Sequence, residues 1–252
     1  MRELYPNPAN DVDPVERYAA DDRSSPAGER PWVLINMIAT VDGATAIDGR
    51  SGALGGPADK AVFSAIRAVA DVILVGAGTV RAESYGTPRT SPGKDQPPRL
   101  AIVTRSLDID PAARVFAEAP PSRRPIVVTT EHSDASRRAA LADVADILVA
   151  GVDDVDLTQA LTALRQQGAG VVLCEGGPSL NGHLVAAGTV DEICVSVAPL
   201  LAGGSSPRLA HGVAPADVVP MRLDRALEAD SMIFLRYVRD RSVSAASVQS
   251  TS

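Results

Sequence analysis

The sequence predicts an α/β domain with a mostly parallel central sheet, helices on both faces and antiparallel strands at its C-terminal end. Three observations carry this. Short apolar runs recur along the chain, amphipathic helical patterns are set between them, and the last runs come too late for another strand–helix–strand unit. Composition agrees. Ala, Val, Leu and Ile supply the apolar content while aromatics make up 3%, which suits a sheet covered by helices. A chain of 252 residues can bury a sizeable core as one domain.

In chain order, residues 1–30 are rich in Pro, Asp, Arg and Ser and read as an N-terminal extension with a short helix near "DPVERYAADD". The domain proper spans 31–238. Its strands are expected at 32–39, 72–75, 100–104, 125–130, 146–150, 171–175, 192–199 and 232–238. "PADKAVFSAIRAVA" places Val62, Phe63, Ile66 and Val69 on one helical stripe. "DLTQALTALRQQG" does the same with Leu157, Ala160, Leu161 and Leu164, and Gly168 stops it. "PSLNGHLVAAG" starts at Pro178, turns Leu180 and Leu184 inward and ends at Gly188. Residues 239–252 read as a disordered tail.

Several function classes drop out. A formal charge of −7 argues against a general nucleic-acid binder. No apolar run reaches the roughly 20 residues that span a bilayer, and the polar, Pro-rich start does not resemble a signal peptide; a cytoplasmic protein is expected. Cys174 and Cys194 lie in apolar runs and read as buried free thiols. His132, His183 and His211 show no metal spacing, and no metal is expected. Serine-elbow, Walker and zinc-deaminase patterns are absent. Transfer from a bound redox cofactor is the reading left.

Two glycine stretches point the same way. "VILVGAGTV" ends an apolar strand in Gly76-Ala77-Gly78-Thr79. It is not a full dinucleotide fingerprint, because Arg81 stands where the third glycine belongs. Its glycines still let backbone amides approach a phosphate, and Thr79 adds a hydroxyl. "CEGGPSL" sets Gly176 and Gly177 before a helix led by Pro178, with Ser179 and Leu180 in its first turn: an anion site at a helix N-terminus. Both follow inner strands, so both are expected at one rim of the sheet. Thr104, Arg105 and Ser106 end another strand and suit a ribose 2′-phosphate. After the first strand, Ala39 and Thr40 offer backbone to a ring, and Asp42-Gly43 reads as a tight turn. Arg67, beside its helix's apolar stripe, either snorkels to solvent or points into a cleft at a substrate phosphate.

Taken together, "VLINMIATVDG", "GRSGALGGPADKAVFSAIRAVADVILVGAGTVRAE" and "CEGGPSLNGHLVAAGTVDEICVSVAPLLAGG" resemble the reductase domain of riboflavin biosynthesis over residues 31–238. The resemblance implies a dihydrofolate-reductase-like fold, NADPH as cofactor and hydride transfer to the imine form of a ribosylamino-pyrimidine, turning ribosyl into ribityl. It implies cofactor contacts from Ala39, Thr40, Ala53, Gly76, Gly78, Thr79, Val80, Thr104, Arg105, Ser106 and the segment Gly176, Gly177, Pro178, Ser179, Leu180. On the substrate side it implies Ser51, Arg67, Glu83, Tyr85, Arg89 and Glu175, with Glu83, or Asp42 through a water, relaying the proton. It also implies a homodimer; "CVSVAPLLAGG" is the candidate interface, since a late strand would expose an edge. Two departures fall on the substrate side. Ala53 stands where members often carry Trp, and Glu83-Ser84-Tyr85 replaces Asp-Asp-Pro. Bifunctional members add an N-terminal deaminase domain not found in this sequence, so a stand-alone reductase, or a paralogue with a shifted substrate, is expected. Dihydrofolate reduction on the same fold is the alternative, although Asp59 lies only at the start of the relevant helix. A non-catalytic NADPH sensor is a third reading.

Overall fold

The strand β2 (Trp32–Thr40) shows how this sequence makes its sheet. Trp32 and Leu34 enter one core while Val33 and Ile35 enter a second, the period of two expected of a strand buried on both faces. β3 (Val72–Gly76) repeats the pattern, with Ile73 and Val75 set against Val72 and Leu74. The computed structural model describes residues 1–24, 28–91 and 94–243. It joins ten strands into one sheet, in the spatial order β1 (Arg2–Tyr5), β9 (Met221–Ala229), β10 (Met232–Arg239), β8 (Glu192–Ala198), β2, β7 (Val171–Cys174), β3, β4 (Arg99–Val103), β5 (Ile126–Thr129) and β6 (Asp146–Val149). From β8 to β6 the strands are parallel. β10, β9 and β1 continue the sheet in antiparallel pairs.

One face is covered by α1 (Pro14–Ala19), α2 (Pro57–Val69), α3 (Ala77–Ala82), α4 (Arg114–Ala117) and Leu141 of α5 (Ala135–Ala142). The other is covered by α6 (Leu157–Gln166) and α7 (Pro178–Ala186), through Leu157, Leu161, Leu164, Leu180 and Leu184. Each such side chain fully buried contributes about 1.5–3 kcal/mol. Gly168 and Gly188 follow their helices at φ +95 and +64, the left-handed stop that glycine adopts freely.

Several expectations change. The buried stripe of α2 is Ala58, Val62, Ala65 and Ile66; Phe63 and Val69 are only half-buried. The segment 76–79 is no simple turn, because Gly76 caps α3. The region before residue 31 supplies an edge strand and a helix, and Tyr18 is 1% exposed in the core. β8 offers no edge for an interface, since β2 and β10 flank it; Leu200 and Leu201 beyond it are exposed. Of the expected tail, 239–243 are placed. Arg239 Nη1 donates to Gly188 O and Arg241 Nη2 to Asp191 Oδ1, both at 2.6 Å. Residues 244–252 lie outside the described residues. Cys174 and Cys194 are buried and free, and burial pushes the Cys174 thiol up to about 12.

Candidate functional site

β2 and β7 pair only from Trp32–Val171 to Ile35–Cys174. Past that point the β7 chain runs into Glu175-Gly176-Gly177 and stays with β3: Glu175 N donates to Leu74 O at 3.0 Å and Gly76 N to Gly176 O at 2.8 Å. From Asn36 to Thr40, β2 keeps only β8 as its partner. A cleft therefore opens between β2 and the end of β7, at the rim formed by strand C-termini, where parallel α/β sheets take ligands.

The two glycine stretches meet at this cleft. A Cβ on Gly76 would lie 3.6 Å from Gly177 N, and one on Gly177 would lie 2.9 Å from Thr79 Oγ1. Gly177 thus packs so closely on Thr79 that a side chain at 177 would have to move the Thr79 hydroxyl. The Gly176–Gly177 peptide is cis. In α7 the first amide with an acceptor in the chain is Asn181 N, onto Gly177 O at 3.0 Å, so the amides of Ser179 and Leu180 precede it as helix-start donors. With the Thr79 and Ser179 hydroxyls, this set of donors suits a diphosphate. Loop 205–212 leans on α7: Asn181 Nδ2 donates to Leu209 O at 2.8 Å, and His211 Nε2 lies 3.3 Å from Ser179 Oγ.

The α2 side of the cleft carries charge. Cys174 faces the second core, so Glu175 points the opposite way, toward α2. Arg67 meets it with a two-pronged pair, Nε to Oε1 and Nη2 to Oε2, both at 2.7 Å. Arg67 Nη2 also donates to Tyr85 Oη at 2.7 Å, and the guanidinium stacks 4.3 Å above the Phe63 ring. Burial pushes the Glu175 carboxyl up against the opposing pull of Arg67. Arg67 thus does not run out to solvent: it turns inward onto a carboxylate. Ser51 donates to Glu83 Oε1 through N at 2.9 Å and Oγ at 3.0 Å, tying the two predicted substrate residues together.

Sequence reasoning missed Asn36 here. It shares the face of Leu34, is half-buried, and its amide makes no hydrogen bond among the described residues. A lone carboxamide inside an otherwise apolar strand was the available signal. Asp59 belongs to the same side; burial raises its carboxyl, opposed by a hydrogen bond with Ser196 of β8.

The structure sets other candidates apart. Asp42 anchors a loop: it accepts from Thr40 Oγ1, from Gly203 N at 2.7 Å and from Ala202 N at 3.2 Å. These donors, the Thr40 hydroxyl foremost, lower it to about 2, so it has no proton to give at neutral pH. Thr40 commits its backbone N–H to Ala44 O at 2.8 Å, and its O accepts from Gly43 N at 2.9 Å on the same turn. Val80 and Leu180 are 4% and 6% exposed; their side chains face the two cores because helices start at Ala77 and Pro178. Ala53 is exposed on the turn before α2. Arg89 is exposed, and its charge acts on Glu118, away from Glu175 and Glu83. Ala39 stays at the end of β2, paired with Val197. Thr104 Oγ1 accepts from Leu107 N at 3.0 Å and shapes the turn that carries Arg105 and Ser106. Gly76 and Val103 are partners, so that turn lies beside the cradle. Among the described residues no helix is long and apolar enough to cross a membrane.

This sheet order, cleft and glycine cradle define the class of dihydrofolate-reductase-like folds. A solved pyrimidine reductase-like protein from Corynebacterium diphtheriae superposes with a TM-score of 0.79 and 26% identity over 91% of this chain and 100% of that one. Residues 31–234 match the family model of the RibD C-terminal domain, and the chain belongs to that family. The 2,5-diamino-6-ribosylamino-4(3H)-pyrimidinone 5′-phosphate reductase of Methanothermobacter thermautotrophicus is 30% identical over 219 residues, covering 82% of this chain and 98% of that protein. Its counterpart in Aquifex aeolicus is 31% identical over 73% of this chain and 84% of that protein.

Proposed function

We propose that this protein is an NADPH-dependent reductase of a phosphorylated ribosylamino-pyrimidine, acting in the cytoplasm. One observation carries the reading most: Gly76–Thr79 and Gly176–Ser179 abut at one rim beside an opening in the sheet. The helix-start amides of Gly177, Ser179 and Leu180, beside the Thr79 hydroxyl, suit a diphosphate. Bound NADPH supplies the hydride. The chain's own residues do the rest. The amides of Gly177, Ser179 and Leu180 and the Thr79 hydroxyl fix the diphosphate, and Ala39 leaves space for a ring. Arg67, Glu175, Tyr85 and Asn36 orient the substrate on the α2 side, which brings the reacting carbons into line. Glu83, held by Ser51, stands closest to the role of proton relay now that Asp42 is committed to its loop. Exposed Leu200 and Leu201 support a homodimer, to be read by sedimentation.

The test is NADPH oxidation followed spectroscopically with the 2,5-diamino and the deaminated pyrimidine phosphates and with dihydrofolate. Turnover is expected on a ribosylamino-pyrimidine and not on dihydrofolate. Gly177→Ala is expected to raise the KM for NADPH about tenfold or more, as one lost charge-assisted bond would. Binding without turnover on any of the three would replace the enzyme reading with that of a sensor.

A further inference from the structure

Three guanidinium groups surround the exit turn of β4. Arg105 stands on the turn. Arg81, from α3, donates through Nη1 to Asp108 O at 2.6 Å. Arg137, from α5, donates through Nη1 to Ser106 O at 3.0 Å. The first two already face carboxylates: Arg105 Nη1 lies 2.9 Å from Asp154 Oδ1, and Arg81 Nη1 lies 3.6 Å from Asp108 Oδ2. Arg137 forms no ion pair among the described residues. The nearby acid, Asp134, caps α5 and takes its bonds from the backbone amide of Arg137 and from Ser136. Its charge still acts on Arg137, but its oxygens are engaged.

A phosphate at Arg105 competes with the exposed Asp154 pair and stands beside that carboxylate. At Arg137 the phosphate displaces only a carbonyl, and the planar guanidinium offers paired donors. The position also fits. Gly76 and Val103 are register partners, so the turn lies one strand, about 4.8 Å, from the glycine exit of β3. The turn and the glycine cradle thus share one rim of the sheet.

We propose that Arg137, rather than Arg105, is the guanidinium that recognises the cofactor's ribose 2′-phosphate and sets the preference for the phosphorylated dinucleotide. Ser106 Oγ, which holds Asp108 N only at 3.4 Å, completes the pocket. The inference rests on the cofactor reading above.

The experiment is calorimetric titration of the full chain with NADPH, NADH, adenosine 2′,5′-bisphosphate and adenosine 5′-monophosphate, for wild type, R137A, R137K and R105A. R137A is expected to weaken NADPH and the bisphosphate about 30-fold, the range of one charged hydrogen-bonding group. NADH and the monophosphate are expected to move less than about threefold, and R137K to fall between wild type and R137A. R105A is expected to cost NADPH less than about threefold, because the neighbouring Asp154 carboxylate offsets the Arg105 charge. A wild-type preference for NADPH that survives R137A, or that is lost in R105A, overturns the inference. Equal wild-type affinity for NADPH and NADH overturns it while sparing the cofactor reading. Wild type that binds no dinucleotide overturns both.

Discussion

Arg67 shows how much one residue's setting decides. From spacing it had two courses, solvent or substrate phosphate. The fold instead gives it Glu175, Tyr85 and the Phe63 ring together. A planar fork can hold all three at once, and an ammonium cannot. Arg67→Lys is therefore expected to keep the charge and lose the geometry. kcat/KM for the pyrimidine phosphate should fall about 10–100-fold, the loss of one charge-assisted bond, with NADPH affinity nearly unchanged. Steady-state kinetics and a dinucleotide titration check this. Equal losses in both would move Arg67 to the cofactor side. Asn36 makes the complementary point. Its type was visible in the sequence, but its significance needed the knowledge that β7 stops one position short of it.

At the scale of elements, α7 is held from outside as well as from the sheet. Gly182 faces the 205–212 loop so closely that a Cβ there would lie 2.0 Å from His211 O. Backbone cannot yield as a flexible side chain can. Gly182→Ala is expected to push that loop off the helix and lower stability by about 2–3 kcal/mol, as overpacking does. Denaturant unfolding measures the loss, and a change under about 0.5 kcal/mol, as at an uncoupled surface site, would show that the loop is loosely held. Element reading from the sequence succeeded where an apolar run was continuous, as in β2 and β3, where an apolar stripe was clear, as in α6, and where Pro178 and Gly188 marked the ends, as in α7. It missed β9. "MRLDRALEA" looks polar, yet Arg225 within it is only 8% exposed, paired with Asp21 some 200 positions earlier in the chain. α5 was missed for a related reason. It buries only Leu141, so its stripe is too narrow to read.

Across the whole molecule, the N-terminal arm is locked to the antiparallel half by buried charge. Glu192 is fully buried and accepts from Arg23 Nε at 2.9 Å, Arg236 Nε at 2.7 Å and Trp32 Nε1 at 2.9 Å. Burial alone would raise its carboxyl, but Arg23 and Arg236 outweigh burial and hold it below the usual range. A lowered acid contributes stability that is complete above its unfolded value, near pH ~4.3, and lost as the pH falls through the folded value. Glu192→Gln is thus expected to cost about 3 kcal/mol at neutral pH, the lower end for breaking a buried pair. The gap to wild type should narrow as the pH drops below about 4. Chemical unfolding across that range checks it, and a gap that stays constant with pH would count against the ionic account.

The amino-acid sequence alone determined the alternation of strands and helices, the two glycine stretches and the family, because periodicity, glycine and proline act on their near neighbours. The tertiary structure decided which charges are spent and which are available. Arg105 against Asp154, Asp42 against the 202–203 amides and Arg225 against Asp21 are each settled by contacts between residues far apart in the chain. An ionisable group's chemistry depends on what stands within a few ångströms of it, and only folding brings those neighbours together.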